Sequence, residues 1–126
     1  MNRQVFVNLP VADVVATVSF WKGLGFRFND GYGDGNTACM VLSPLACVMF
    51  LHEPFFHGFH GTVQSLGTEL TMSIQAISRE EVDQLLTLAV LSGAEESGKP
   101  MECDGMYARS FIDPDGHIWE VLWMAT

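Results

Sequence analysis

The chain has 126 residues, 48% of them apolar and 17% charged, which suffices for one domain with a buried core and excludes a disordered or linker-like chain. Fifteen acidic residues against six basic ones give a formal net charge of −9, so the surface repels phosphate backbones and anionic lipid headgroups, and neither nucleic acid nor a membrane surface is an expected partner. No apolar run approaches the ~20 residues that span a bilayer, Asn8, Pro10 and Asp13 interrupt the amino-terminal stretch as a leader peptide, and Cys39, Cys47 and Cys103 form no CxxC pair, so a cytoplasmic protein with reduced thiols is expected.

In chain order, Val5 to Val11 alternates as a strand, with Asn8 and Pro10 marking its exit. Asp13 is a helix N-cap, Val14, Val15, Val18, Trp21 and Leu24 recur near helical spacing behind it, and Gly25 ends the helix. Phe26 to Asn29 starts a second strand, Asp30 to Gly35 is a glycine-rich turn, and Thr37 to Leu42 and Leu45 to Leu51 read as a hairpin around Ser43-Pro44. The histidines and phenylalanines of "HEPFFHGFH" are interleaved with proline and glycine, which reads as a loop.

The same order then returns. Glu69 to Ile77 is a strand, Ser78-Arg-Glu-Glu81 a capping box, and Val82, Leu85, Leu86 and Ala89 the apolar stripe of a helix that Gly93 stops. Ala94 to Gly98 and Met106 to Ile112 are strands, and Asp113-Pro-Asp-Gly116 turns into a last strand, His117 to Met124. The fold class is therefore α+β, built from two βαβββ modules: module one over 1–52, a connecting lid loop over 53–68, and module two over 69–126. A ferredoxin-like α+β sandwich, which also begins with a βαβ unit, is the alternative.

The segments "VFVNLPVADVVATVSFWKGLGF", "ACMVLSPLACVMFLHEPFF", "SREEVDQLLTLAVLSGA" and "MYARSFIDPDGHIWEVLWM" resemble the glyoxalase/bleomycin-resistance/extradiol-dioxygenase (vicinal-oxygen-chelate) superfamily, in the branch usually labelled predicted lactoylglutathione lyase. The resemblance covers nearly all of the chain. It implies a cupped mixed sheet with helices outside, a small-molecule ligand in the cup, and a homodimer. It also implies metal-ligand places on the first and fourth strands of each module, which fall here on Phe6, Phe50, Thr71 (or a neighbour) and Glu120. Only Glu120 carries a ligand side chain, and one carboxylate does not hold a divalent ion against water, so no metal or other cofactor is expected. If a metal binds at all, His52, His57 and His60 with Glu120 are the remaining donors.

Alternation points the same way. Ile118, Glu120 and Leu122 share one face of the last strand and Trp119, Val121 and Trp123 the other, which suits packing on a helix. Phe6 and Asn8 face the cup in the first strand, and Thr71, Ser73 and Gln75 form a polar face in the fifth, either lining a wet pocket or facing solvent. Glu120 is the candidate catalytic base, set against the apolar rings of Phe6 and Phe50. Candidate ligand contacts are Phe6, Asn8, Phe50, His52, Thr71 and Ser73, with Phe55 and Phe56 (and Phe59) from the lid. Tyr107 and Arg109 complete the set; the arginine either recognises a carboxylate, holds Glu120, or forms a rim salt bridge. Asp113 and Asp115 are turn formers, and His117 is structural. The expected function is binding or metal-free transformation of a small molecule. The alternatives are a resistance-type sequestering protein and a metal-dependent lactoylglutathione lyase.

Overall fold

Each long helix begins where the sequence supplies a cap. In the computed structural model, which describes residues 2–32, 35–60 and 70–125, the Asp13 carboxylate accepts from the Ala16 N–H at 3.0 Å and starts α1 (Val14–Gly23). Ser78 accepts from the Glu81 N–H at 3.0 Å and starts α3 (Arg79–Leu91), while the Glu81 carboxylate reaches back to the Ile77 N–H. Gly25 and Gly93, at φ +96° and +111°, end the two helices in the left-handed region.

The chain forms two compact units, residues 1–64 and 65–126. The first holds β1 (Val5–Val11), β2 (Arg27–Phe28), β3 (Thr37–Ser43) and β4 (Ala46–His52) in the order β1-β4-β3-β2, with β1 parallel to β4 and the other pairs antiparallel. The second holds β5 (Met72–Gln75), β6 (Glu95–Cys103), β7 (Met106–Ile112) and β8 (Ile118–Met124) in the order β5-β8-β7-β6, again with one parallel pair, β5 and β8. The fold class is thus α+β with two four-stranded mixed sheets of matching topology.

Aromatic packing organises the first unit. Trp21 of α1 is 1% exposed; it meets Phe20 and Phe26 edge-on and stacks on Phe50 of β4, with centroids 6.2 Å apart. In the second unit Val82, Leu86 and Ala89 of α3 and Phe111, Trp119 and Val121 of the sheet are all 1% exposed or less. These are the residues that helical and two-residue periodicity single out.

Several elements differ from the sequence expectation: β5 is shorter than the expected Glu69 to Ile77, Asp30–Tyr32 forms a 3-10 turn, and two further differences have a clear physical reason. The lid loop opens instead as a helix, α2 (Glu53–His60), because Pro54 falls in the first turn, where its missing N–H has no helical acceptor to lose, and Glu53 favours the positive end of the helix dipole. The continuation over residues 61–68 lies outside the described residues, as does Glu69. The strand expected to end at Gly98 continues to Cys103: the register shifts between Ser97 and Met101, Gly98 adopts φ +69°, and β6 is the sheet edge, where Pro100 costs no essential ladder bond.

Asp113 ties the last turn to the core. It is 6% exposed; one oxygen accepts from the Asp115 and His117 N–H groups at 2.9 and 3.0 Å, and the other from Trp119 Nε1 at 2.9 Å. The expectation that it is a turn former thus holds, with a buried indole as a further partner. Asp113→Ala orphans a buried donor as well as two turn donors, and is expected to lower unfolding stability by about 2–4 kcal/mol in urea titrations.

Candidate functional site

Residues opposite each other in a ladder share a face, so the registers decide which side chains meet. Glu120 lies opposite Ser73 on β5 and opposite Ser110 on β7, and Ser110 lies opposite Ser97 on β6. One rung therefore carries Ser73, Glu120, Ser110 and Ser97 across all four strands. The Ser73 hydroxyl donates to Glu120 Oε1 at 2.8 Å, and Glu120 Oε2 has no partner among the described residues. The adjoining rung on that face holds Gln75, Leu122, Ala108 and Met101. Helix α3 packs on the other face, against Trp119, Val121 and Phe111. Ser73 and Gln75 are exposed and Glu120 half-buried, so a polar rung lies open beside an acid. Ser110 and Ser97 escaped the sequence reading, since only the hairpin register brings them level with Glu120.

Tyr107 and Arg109 fall on the opposite face from Glu120. Arg109 is opposite Val121 and Tyr107 opposite Trp123, under α3. There Arg109 grips Glu96 through two nitrogens at 2.9 and 2.7 Å and donates to Asp83 at 2.8 Å. Tyr107 donates to the same Asp83 oxygen at 2.7 Å, and Arg79, ion-paired with Glu102, lies 4.4 Å from the Tyr107 ring centre. The Tyr107 and then the Arg109 hydrogen bonds hold Asp83 below the usual carboxylate range, and Arg109 does the same to Glu96. The Asp83 hydrogen bond raises Tyr107, and Arg109 is raised chiefly by Glu96. Neither residue reaches Glu120, because a one-residue step along a strand reverses the face. Of the roles open to Arg109, the structure shows the rim salt bridge.

Module one divides in the same way. Phe6 and Asn8, opposite Cys47 and Met49, face away from α1 and are exposed. Phe50 does not line an open face: it is 0% exposed, opposite Leu9, and stacked on Trp21. It is core, and no ligand touches it without unpacking α1. His52, opposite Val11, follows Phe50 onto the covered face by alternation. Phe55 and Phe56 lie on α2, which packs on β1 and β4; Phe55 is exposed, and the Phe56 ring meets His57 edge-on. The side chains of Phe59 and His60 lie outside the described residues. Thr71 is exposed just ahead of β5, and Ser73, its neighbour on that face, is the residue level with Glu120. A separate groove of about 550 Å³ runs beside α1, lined by Val14, Val15, Val18, Lys22, Phe28 and Asn29 among others.

The places that the resemblance assigns to metal ligands thus hold a hydrocarbon ring in Phe6, a core ring in Phe50, the hydroxyl of Thr71 and one carboxylate, a donor set that does not fit a divalent ion. Among the described residues, no three of His, Cys, Asp and Glu converge on a common point.

The model of the Glyoxalase/Bleomycin resistance protein/Dioxygenase superfamily matches residues 3–121. The chain belongs to this superfamily. A search of curated proteins finds no significant match. Among solved structures, the superfamily fold recurs in hypothetical protein SA1046 from S. aureus, 25% identical with a TM-score of 0.83 over 98% of this chain and 95% of that one. A glyoxalase/bleomycin resistance protein/dioxygenase family enzyme from Burkholderia phytofirmans PsJN is 19% identical, with a TM-score of 0.83 over 94% and 96% of the two chains. A glyoxalase-related enzyme from Fulvimarina pelagi is 17% identical, with a TM-score of 0.80 over 98% and 88%. Superfamily membership establishes the fold and leaves the chemistry to the site.

The Arg109 cluster generates a pH prediction. Carboxylates whose folded pKa is depressed stabilise the fold above their unfolded value, near about 4, and that contribution is lost as pH falls through the folded value. Arg109→Gln is expected to be less stable than wild type at pH 7 and to show a shallower loss of stability between about pH 5 and pH 2, read from urea midpoints across pH.

Proposed function

We propose that this protein binds a small polar molecule on the open face of its second sheet, with Glu120 as the group that holds it. The observation that carries this reading is the rung of Ser73, Glu120, Ser110 and Ser97, where a half-buried carboxylate turns one oxygen to a serine and leaves the other without a partner among the described residues. A half-buried carboxylate is costly unless hydrogen-bonded, so the rung suits a ligand that brings its own hydroxyl or amine donors. Where a reaction follows, Glu120 takes the proton as general base.

Sequestration without turnover is the second reading. It is favoured by the rung itself, where three serines flank Glu120 and no second acid or base lies on the rung among the described residues. Metal-dependent lactoylglutathione lyase ranks last. That reaction polarises enediolate oxygens on a divalent ion, and the donor set here does not fit one. Homodimerisation and cytoplasmic residence belong to the same proposal; they accord with the superfamily resemblance and with the acidic surface, and no described helix is long and apolar enough to cross a membrane.

Glu120→Gln keeps the shape and removes the charge. In a thermal-shift screen of small polyols, amines and hydroxy-carbonyl compounds, wild type is expected to be stabilised by at least one compound, and Glu120→Gln to lose that shift while its own unfolding midpoint stays within a few degrees of wild type. An unchanged shift in the variant defeats the assignment. Turnover of the methylglyoxal–glutathione hemithioacetal is expected at background with or without added Ni²⁺ or Zn²⁺, and elemental analysis is expected to find less than one equivalent of Ni, Zn, Fe or Mn per chain.

A further inference from the structure

The face of the first sheet turned away from α1 gathers sulfur. Cys39 on β3 lies directly opposite Met49 on β4, and Cys47 sits two residues before Met49 on the same face. Cys39 and Cys47 are therefore diagonal neighbours across β3 and β4, and the Cys47 sulfur accepts from Gln4 Nε2 at 3.4 Å. Cys39 and Cys47 are 1% and 5% exposed. The registers put Phe6, Asn8, Val41 and Leu51 around them on that face, with Arg27 beside Val41 and Thr37 beside Leu51, and no carboxylate or imidazole on those rungs. Two thiols and a thioether, beside neutral amides and no carboxylate, select by softness: hard ions need several oxygens, and borderline ions prefer a set that includes nitrogen or more thiolates.

We propose that Cys39, Cys47 and Met49 form a binding site for a soft, thiophilic cation of the cuprous class. Binding is a ligand exchange: Cu(I) forms bonds to the two cysteine sulfurs, the two S–H bonds break, and both protons leave to solvent with no change of oxidation state. The Met49 thioether completes the shell as a neutral donor. The site lies in module one and uses no residue of the Glu120 rung, so it stands or falls apart from the function proposed above.

The test is anaerobic transfer of Cu(I) to the reduced full-length protein from a chromogenic competitor such as bicinchoninate. Wild type and Cys103→Ser are each expected to take up one equivalent, since Cys103 is exposed and remote in sequence from the pair. Cys39→Ser and Cys47→Ser are expected to lose affinity by about a hundredfold or more, and Met49→Leu, which preserves bulk and apolar character, by about tenfold. Circular dichroism of each variant separates loss of donors from loss of fold. Should the cysteine variants unfold, X-ray absorption of the Cu(I)-loaded wild type decides, with an all-sulfur first shell expected. Uptake by the cysteine variants, wild-type affinity in Met49→Leu, loss of uptake in Cys103→Ser, or a nitrogen or oxygen first shell overturns the proposal.

Discussion

The hydrogen bond from the Trp119 indole to Asp113 sets the direction in which the last strand faces, and the second module is arranged around it. Trp119 is fully buried, and its N–H finds a carboxylate in the turn that precedes the strand. A strand has only two faces, so with Trp119 and Val121 directed at α3, Glu120 takes the other side. Turning Glu120 under the helix would require a one-residue slip of β8. That slip would expose the tryptophan, strip its hydrogen bond and move every neighbour in the ladder. The acid is held on the open face by residues that never touch it.

The same parity separates two electrostatic environments within one sheet. On the covered side, Arg109 and Arg79 are matched by Glu96, Asp83 and Glu102, and Tyr107 and Trp123 supply aromatic surface to Arg79. In a chain with only six basic residues, this cluster uses two of them. On the open side Glu120 has a hydroxyl for a partner and no cation among the described residues. A structural ion-pair cluster satisfies itself and has little affinity left to offer a ligand. A carboxylate with one unfilled oxygen retains its affinity for a donor.

Module one repeats the topology with different chemistry on its open face. Where module two lines up hydroxyls and a carboxylate, module one brings Cys39, Cys47 and Met49 together beside Phe6 and Asn8. Burial, followed by the Cys47 contact, pushes the Cys39 thiol up to about 11, so at neutral pH it stays protonated and does not act as a nucleophile. The two sheets thus share a scaffold and diverge in what the faces turned away from their helices can hold.

Element order, both helix caps, the module repeat and the facing of Trp119, Val121 and Glu120 were legible in the sequence, because each rests on local signals: capping residues, glycine stops and two-residue alternation. The short α2 was not, since proline and glycine lower helix propensity on average and only the place of Pro54 in the first turn makes it harmless. Phe50, Tyr107 and Arg109 lie on the face opposite the expected one for a related reason. Alternation sorts the residues of one strand into two sets, but which set of one strand joins which set of the next depends on register. Register is a long-range property, seen in pairings such as Leu9 with Phe50 and Arg109 with Val121 across the ladders. The sequence by itself determined the order of the strands, the caps of the two long helices and the two faces of the last strand. Tertiary structure alone decided what stands level with Glu120 in its own sheet, a line of serines where an arginine was expected, because strand pairing joins residues that the chain keeps far apart.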